Sequence, residues 1–331
     1  MFKARLEFAD EAAFELLVEE GETLAQAALR QDAPLRSDCL SGECGACLAR
    51  CAQGDSLTGA RAPIVSTEEA AEGLVATCCT RLRGDATLQL EYPLAPRPSE
   101  PAKLRATLER LEPLCTSVTR LVLRLEDGCE FAFQPGQYIR LRPPGLRAAR
   151  AYSIASTPAD MPFVTLLIRH VEGGEVTRWM TERAEPGDRL VVQAPLGGFA
   201  VDTRAARQVF LAGGTGLAPI LAMIAAQEGD TSPKLLCFGC AAPEHLFLHD
   251  HLRELESRVP GLEVRIALIE GANGPIRPGH ALALLASEDL SPDTAFHLCG
   301  PPAMIEAART ALRGAGIPPE KIRAERFLAS A

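Results

Sequence analysis

The spacing of apolar residues gives the first part of the chain an α+β pattern. Up to about residue 92, the alternations "KARLEF", "AFELLVE" and "ATLQLEY" predict strands, and "ETLAQAALRQ" carries apolar residues at helical spacing. We expect this helix to open at Glu22 and Thr23. The segment therefore reads as one small α+β unit.

Two further patterns follow a proline-rich stretch, "PLAPRPSEPAK", which has four prolines in eleven residues and is typical of a semi-rigid spacer. Short alternating strands such as "QYIRLR" and "FVTLLIRHV" then end at Pro or Gly, which indicates a β-barrel or a sandwich. From residue 206, apolar strands such as "QVFLAGG" alternate with helices, which indicates a parallel, doubly wound sheet. The predicted domains are residues 1–93, 104–204 and 205–331, with a linker at residues 94–103.

Charge and hydropathy narrow the classes of function. The 331 residues carry a formal charge of −9, which argues against nucleic-acid binding, because that binding needs basic surface. Residues 1–92 hold 16 acidic and 8 basic side chains, a net of −8. The start of the chain has no apolar core of signal-peptide length, and no stretch approaches the 18 apolar residues of a membrane span. We therefore expect a soluble, cytoplasmic protein whose clustered cysteines serve metal binding or catalysis.

Four of the eleven cysteines lie within fourteen residues, in "DCLSGECGACLARC". Cys39, Cys44 and Cys47 fit C-x4-C-x2-C, the spacing of a plant-type [2Fe–2S] cluster, which needs a fourth cysteine further along the chain. That ligand is Cys78 or Cys79, and only one can serve, because neighbouring side chains on extended backbone point in roughly opposite directions. The glycines between the first cysteines relieve crowding and can adopt positive φ.

Two other metal centres compete with this interpretation. A structural zinc site is also built from close cysteines, but it usually shows C-x2-C twice, and no second pair of that form occurs in the predicted ferredoxin segment. Cys237 and Cys240 have the same spacing, but they lie in the predicted α/β domain. A Rieske centre needs two histidines, and the first histidine of the chain is His170. We expect Cys51 to be a strand residue whose thiol packs against its neighbours and does not bind metal.

Flavin-binding groups occur in order along "RAYSIAS" and "RHVEGGEVTRWM". Arg150 can bind a phosphate through two hydrogen bonds, Tyr152 can lie on the flavin ring, and Ser153 can donate toward the redox nitrogen. Gly174 and Thr177 belong to a turn, beginning at the preceding glycine, whose amides at a helix start suit a diphosphate. Any one of these motifs is weak, and their order within one β-rich domain strengthens the interpretation.

A nucleotide-binding pattern lies further on. "QVFLAGGTGLAPILAMI" is a strand, a glycine-rich turn and a helix, and "HLCGPPAMI" is a second strand–turn–helix. Ligands of open α/β sheets gather at the carboxyl ends of such strands. The candidate nucleotide contacts are Gly213, Gly214, Thr215, Gly216, Cys299, Gly300 and Pro301.

Together these motifs resemble the electron-transfer reductases of multicomponent aromatic-ring oxygenases, of the benzoate/anthranilate dioxygenase type. The likeness rests on the cysteine loop, "EGLVATCCTRL", "RAYS", "GGTGLAPI", "CGPPAM" and "ERF", and covers nearly the whole chain. It implies a β-grasp [2Fe–2S] ferredoxin domain, an antiparallel β-barrel FAD domain and an α/β nucleotide-binding domain like that of ferredoxin–NADP reductase.

The resemblance also assigns site residues and partners. It favours Cys78 as the fourth ligand, puts Glu325 and Phe327 beside the flavin with Ser153 and Cys299, and makes FAD the flavin. Glu244 would repel a 2′-phosphate, so NADH is the expected donor. Electrons would pass singly through the cluster to a Rieske dioxygenase component. Two alternatives stay open: the reductase of a di-iron monooxygenase, and a non-enzymatic zinc-clipped binding module with a nucleotide sensor.

Overall fold

A computed structural model describes residues 1–42, 44–54, 56–58, 62–65, 67–90, 92, 94, 101–129, 131–147 and 149–327. The chain forms two compact units, Met1–Glu100 and Pro101–Ala331. Most of the predicted linker, residues 95–100, lies outside the described residues. Among the described helices, none combines the length and the apolar character needed to cross a bilayer.

The first unit is a five-stranded mixed sheet with a helix packed on it. Thr23 caps that helix, because its hydroxyl accepts from the Gln26 amide while the Gln26 side chain accepts from the Thr23 amide. The helix buries Leu24, Ala27 and Ala28 in the core of the sheet. The elements are β1 Phe2–Glu7, β2 Ala13–Val18, α1 Leu24–Arg30, β3 Leu48–Gln53, β4 Ser56–Thr58, α2 Thr67–Ala71, β5 Leu74–Ala76, β6 Thr80–Leu82 and β7 Ala86–Leu90.

Strand order completes the description of this unit. The sheet runs β2-β1-β7-β3-β5, and a separate two-stranded sheet pairs β4 with β6. The central pair β1 and β7 is parallel, while the other pairs are antiparallel. The predicted α+β ferredoxin fold is confirmed, with the cysteine loop between α1 and β3.

The second unit begins with an antiparallel barrel of six strands in the order β11-β10-β13-β8-β9-β12. A bridge between Ile154 and Leu166 links the outer strands, so the barrel nearly closes. Of the two architectures that the sequence left open, the barrel is the one present. Trp179 lies buried in its core. The elements are β8 Ala102–Cys115, β9 Val118–Leu125, β10 Tyr138–Arg142, β11 Arg150–Ser153, β12 Phe163–Arg169, α3 Glu175–Glu182 and β13 Arg189–Leu196.

The rest of the second unit is a parallel sheet in the order β17-β16-β15-β14-β18-β19, with helices between its strands. The order reverses between β14 and β18, and the carboxyl ends of strands at such a point form a ligand-binding crevice. The predicted α/β fold is confirmed. The elements are β14 Arg207–Gly213, α4 Leu217–Ala225, β15 Lys234–Cys240, α5 His249–Arg258, β16 Leu262–Leu268, β17 Arg277–Pro278, β18 Thr294–Gly300, α6 Pro302–Gly314 and β19 Ile322–Arg326.

Candidate functional site

Four predicted cysteine ligands converge in the first unit. Cys39, Cys44 and Cys47 come from the loop before β3, and Cys78 comes from the turn between β5 and β6. The Cys39 thiol hydrogen-bonds with those of Cys44 and Cys78, and the Cys47 thiol hydrogen-bonds with that of Cys78. The distant cysteine therefore meets the loop from its other side.

Gly42 makes the close packing of the loop possible. Its φ is +73°, and a Cβ at this position would stand 2.9 Å from both the Cys79 Sγ and the Ala62 Cβ. Gly45 also adopts positive φ, at +76°. A side chain at position 42 would be strained and would push the loop away from the turn that carries Cys78.

The expectation that Cys78 and Cys79 point in opposite directions is wrong. The two residues lie in a turn and not on extended chain, and their Sγ atoms are 3.7 Å apart. Cys78 is buried, while Cys79 is partly exposed. The alternation rule fails here because β5 ends at Ala76 and β6 begins only at Thr80.

Thiol contacts divide the charge among the four sulfurs. Hydrogen bonds from Cys44 and then Cys78 hold the pKa of Cys39 far below its usual range, and a hydrogen bond from Cys78 lowers the pKa of Cys47. The same contacts raise the pKa of Cys44 and of Cys78. Four thiolates cannot share this space unless positive charge is placed between them, and iron supplies that charge.

These residues fit a two-iron cluster. The described part of the chain has no group of three or more His, Cys, Asp or Glu side chains poised around a metal ion. The thiol contacts join Cys39 to Cys44 and Cys47 to Cys78, and a further contact between Cys39 and Cys78 links the two pairs. Two linked pairs suit a cluster whose two irons each take two protein ligands. The Thr77 side chain is buried beside Cys47, and its contact with that thiol adds to the lowering of the Cys47 pKa. Thr77 was missed by sequence reasoning, and its place next to the cysteine pair was the available signal.

The predicted flavin motif occupies β11 and the turn after β12. Ser153 is buried, and its hydroxyl donates to Glu325 Oε2 across 3.3 Å. Burial raises the pKa of Tyr152, while Arg150 is partly exposed. The Ser153 contact joins the barrel to the last strand of the α/β sheet.

The predicted diphosphate turn leads into α3. Gly174 is the residue before the helix, and the Val171 amide donates to Thr177 Oγ1 across 2.9 Å. The Thr177 hydroxyl therefore fixes the shape of the turn. The role of the turn amides in binding a diphosphate stays a prediction.

The nucleotide motifs meet at the switch point of the parallel sheet. A Cβ at Gly216 would stand 2.2 Å from the Cys299 carbonyl oxygen, and one at Gly213 would stand 2.7 Å from Met304 Sδ. These two glycines therefore allow the turn after β14 to pack on the turn after β18, whatever the ligand. Gly214 differs, because a Cβ there would meet no atom within 4 Å.

Cys299 and Glu325 are register partners on the neighbouring strands β18 and β19. Cys299 is fully buried, and burial followed by the charge of Glu325 raises its pKa well above the usual range. The Phe327 amide donates to the Gly300 carbonyl across 2.8 Å. The structure thus brings Ser153 and Cys299 next to Glu325, and it fixes Phe327 at the end of β18. The position of these residues beside the flavin stays a prediction.

The remaining nucleotide candidates lie around this crevice. Thr215 follows Gly214 in the short turn before α4, and Pro301 precedes α6. Glu244 lies in an exposed turn after β15, and its backbone carbonyl accepts from the Thr116 hydroxyl across 2.9 Å. The role of the Glu244 carboxylate in selecting NADH stays a prediction.

Fold and site together define an iron–sulfur flavoprotein that oxidises a nicotinamide nucleotide. Residues 8–83 match the 2Fe-2S iron-sulfur cluster binding domain, residues 105–201 the oxidoreductase FAD-binding domain, and residues 210–310 the oxidoreductase NAD-binding domain.

Known proteins with the same arrangement match the chain from end to end. It is 32% identical to the toluate 1,2-dioxygenase electron transfer component of Pseudomonas putida, over 94% of both chains. It is 31% identical to the reductase component of phenol 2-monooxygenase from Pseudomonas sp. strain CF600, over 95% of this chain and 92% of the relative. A solved Amycolatopsis cytochrome P-450 reductase superposes with a TM-score of 0.73 at 28% identity, covering 100% of both chains.

The chain belongs to the family of electron-transfer reductase components of multicomponent oxygenases. Its cofactors are a [2Fe–2S] cluster, FAD and NADH, and it passes electrons to an oxygenase component.

Proposed function

We propose that this protein reduces the Rieske component of an aromatic-ring dioxygenase with electrons from NADH. The observation that carries the proposal is the end-to-end similarity to the electron transfer components of toluate 1,2-dioxygenase and 2-halobenzoate 1,2-dioxygenase. The structure describes all eleven cysteines and none is in a disulfide, which suits a protein acting in the reducing cytoplasm. When bound, FAD would accept the two electrons of a hydride together, and the cluster would pass them on one at a time.

Ser153, Cys299 and Glu325 are the proposed catalytic residues around the flavin. The Ser153 hydroxyl is held by Glu325 at the junction of the barrel and the α/β sheet, where it can donate to the ring instead when FAD binds. Cys299 presents a buried, neutral thiol at the end of β18, so it adds bulk without adding charge where the nicotinamide would stack. Phe327 is the proposed flavin-ring neighbour. These residues position the donor and acceptor atoms, which is the protein's share of hydride transfer.

We propose that a cationic side chain and the backbone amides of two glycine-containing turns bind FAD and NADH. We assign Arg150 and the turn from Gly174 to Thr177 to the FAD diphosphate, and the turn from Gly213 to Gly216, with Gly300 and Pro301, to NADH. Cys39, Cys44, Cys47 and Cys78 are the proposed cluster ligands.

Glu244 is proposed to select NADH, because its carboxylate would repel a 2′-phosphate. Replacing it with arginine should raise kcat/KM for NADPH relative to NADH by about tenfold, since a cation can pair with the phosphate. Steady-state kinetics with both nucleotides test this, and Glu270→Arg, another exposed acidic position in this domain, is the matched control. An unchanged NADPH-to-NADH ratio in Glu244→Arg would refute the role.

The proposed electron path is tested by anaerobic titration with NADH, followed in the flavin and cluster absorbance bands. We expect both bands to bleach. When the reduced protein is then mixed with a Rieske dioxygenase component, we expect it to be reoxidised within the turnover time of the dioxygenase. Bleaching of the flavin alone, with no cluster signal, would contradict the path.

A second candidate partner is a di-iron monooxygenase, favoured by the similarity to the phenol 2-monooxygenase reductase component. Stopped-flow reoxidation by a purified Rieske component and by a di-iron hydroxylase separates the two. Faster electron transfer to the hydroxylase would replace the dioxygenase proposal with this one.

A further inference from the structure

Cys79 has a sulfur atom beside the proposed cluster ligands but is not counted among them. The turn that holds it is fixed at both ends, since the Cys79 amide donates to the Ala76 carbonyl across 2.9 Å and the Thr80 hydroxyl donates to the same oxygen across 2.8 Å. This geometry keeps the Cys79 and Cys78 Sγ atoms 3.7 Å apart, within hydrogen-bonding distance for sulfur.

The cysteine loop packs directly on this thiol. A Cβ at Gly42 would stand 2.9 Å from the Cys79 Sγ, so only a glycine allows the loop backbone to approach it. Cys78 hydrogen-bonds with the thiols of Cys39 and Cys47, and the Cys79 sulfur lies 3.7 Å from that of Cys78. Cys79 is therefore adjacent to one ligand and separated from the rest.

We propose that Cys79 donates an S–H hydrogen bond to the Cys78 sulfur and thereby raises the reduction potential of the cluster. The inference rests on the proposed ligand set. A ligating Cys78 sulfur carries no hydrogen and can only accept, so in the 3.7 Å contact the S–H donor is Cys79. Reduction adds negative charge to the cluster, and a donor on its sulfur stabilises the reduced state more than the oxidised one.

The test compares Cys79→Ala, which removes the donor, with Cys79→Ser, which keeps an O–H donor at the same position. The holoprotein is poised by redox titration and followed by cluster absorbance. We expect iron content and spectrum to stay those of the wild type in both variants. In Cys79→Ala the equilibrium constant for one-electron reduction of the cluster should fall about threefold to tenfold, the range of one net hydrogen bond. Cys79→Ser should stay within about twofold of the wild type.

A second readout detects the proton itself. In the reduced, paramagnetic cluster, electron–nuclear double resonance in D₂O should show one exchangeable coupling that is absent from Cys79→Ala and present in Cys79→Ser. Cys51→Ala is the matched control, because the Cys51 thiol donates to the Gln53 carbonyl and not to a sulfur. Its potential and couplings should not change.

Three outcomes would overturn the inference. An unchanged potential in Cys79→Ala would show that the thiol tunes nothing, and an equal fall in Cys79→Ser would assign the effect to packing. Loss of the cluster in Cys79→Ala, with retention in Cys78→Ala, would make Cys79 the ligand. Failure of the proposed function is distinguishable, since it would appear as reduced wild-type protein that a Rieske component does not reoxidise, whatever the potential of Cys79→Ala.

Discussion

The Ser153 hydroxyl of the barrel and the Glu325 carboxylate of the last parallel strand meet at 3.3 Å. If this hydroxyl positions the flavin ring for hydride transfer, Ser153→Ala should slow flavin reduction by NADH about tenfold to hundredfold, the cost of losing one positioned donor. Stopped-flow measurement of flavin bleaching under anaerobic conditions gives this rate directly.

Ser156 offers the matched control for that experiment. It is also buried, and its hydroxyl accepts from the Thr165 amide of the neighbouring strand β12. Ser156→Ala should leave the rate of flavin bleaching within about twofold of the wild type. Equal rates in Ser153→Ala and wild type would remove Ser153 from the proposed catalytic residues.

His297 is a buried residue that the sequence did not single out. Its Nε2 accepts from the Asp202 amide across 3.1 Å, and its ring stacks on Phe210 with 5.0 Å between centroids. Burial, with Arg323 adding to it, lowers the pKa of His297 from 6.5 to about 3. Between about pH 6.5 and pH 3, the unfolded chain therefore binds a proton at this histidine that the folded chain does not bind.

That difference makes stability depend on pH with a defined sign. A histidine with a lowered folded pKa contributes fully above pH 6.5, and its contribution is lost as pH falls from 6.5 toward 3, by up to about 1.4 kcal/mol per pH unit. His297→Gln keeps an acceptor but cannot titrate, so its thermal midpoint, measured by flavin release, should fall less steeply between about pH 6.5 and about pH 4.5. His280→Gln, at an exposed position, should keep the wild-type slope.

At the scale of elements, the turn after β14 depends on a glycine for packing. Gly216→Ala would force a methyl group against the Cys299 carbonyl oxygen, which stands 2.2 Å from the Cβ position. We expect this overpacking to destabilise the second unit by about 1–3 kcal/mol. Urea unfolding followed by flavin fluorescence measures the change.

Gly229→Ala is the control for this packing argument, because a Cβ there would meet no atom within 4 Å. Its free energy of unfolding should stay within about 0.5 kcal/mol of the wild type. If Gly216→Ala were equally stable, the two turns would have to move apart more easily than their packing indicates.

Element types were predictable from sequence because they depend on local pattern. Alternation and helical spacing gave the strands and helices of all three folds, and Thr23 fulfils the predicted helix opening as its cap. The turn holding Cys78 and Cys79 was missed, since alternation assumes extended chain. The choice of barrel over sandwich also required strand pairing between distant residues, such as Ile154 with Leu166, which local pattern does not encode.

The sequence motifs of the candidate site could be predicted. The contacts that their side chains make with one another were harder to predict. Resemblance grouped Ser153 with Glu325, but residues so far apart in sequence give no spacing signal of their own. His297 was not found for the same reason, since it gains its role only from the burial that folding produces. Thr77 differs, because its place next to Cys78 and Cys79 in the sequence was a signal that could have been used.

At the scale of the whole molecule, charge is uneven, with a net of −8 in residues 1–92 against −9 in total. An acidic ferredoxin region should attract a partner through basic surface, and such attraction is screened by salt. Raising the salt from about 0.05 to about 0.5 M should slow reduction of the oxygenase component about tenfold or more.

Flavin reduction by NADH serves as the internal control for this experiment, because it does not involve the oxygenase component. Its rate should change much less over the same range of salt. Reduction of the oxygenase component at a constant rate across that range would contradict electrostatic steering.

The hydrogen bond between Ser153 and Glu325 also limits how such reductases can be recombined. One partner belongs to the barrel and the other to the final strand of the parallel sheet. A chimera that takes its barrel from one parent and its nucleotide domain from another would have the serine from one parent and the carboxylate from the other, and nothing would ensure that the two side chains lie at hydrogen-bonding distance. Exchange of the barrel and parallel sheet as one block should preserve hydride transfer, whereas a cut between them should require the serine–carboxylate pair to be rebuilt.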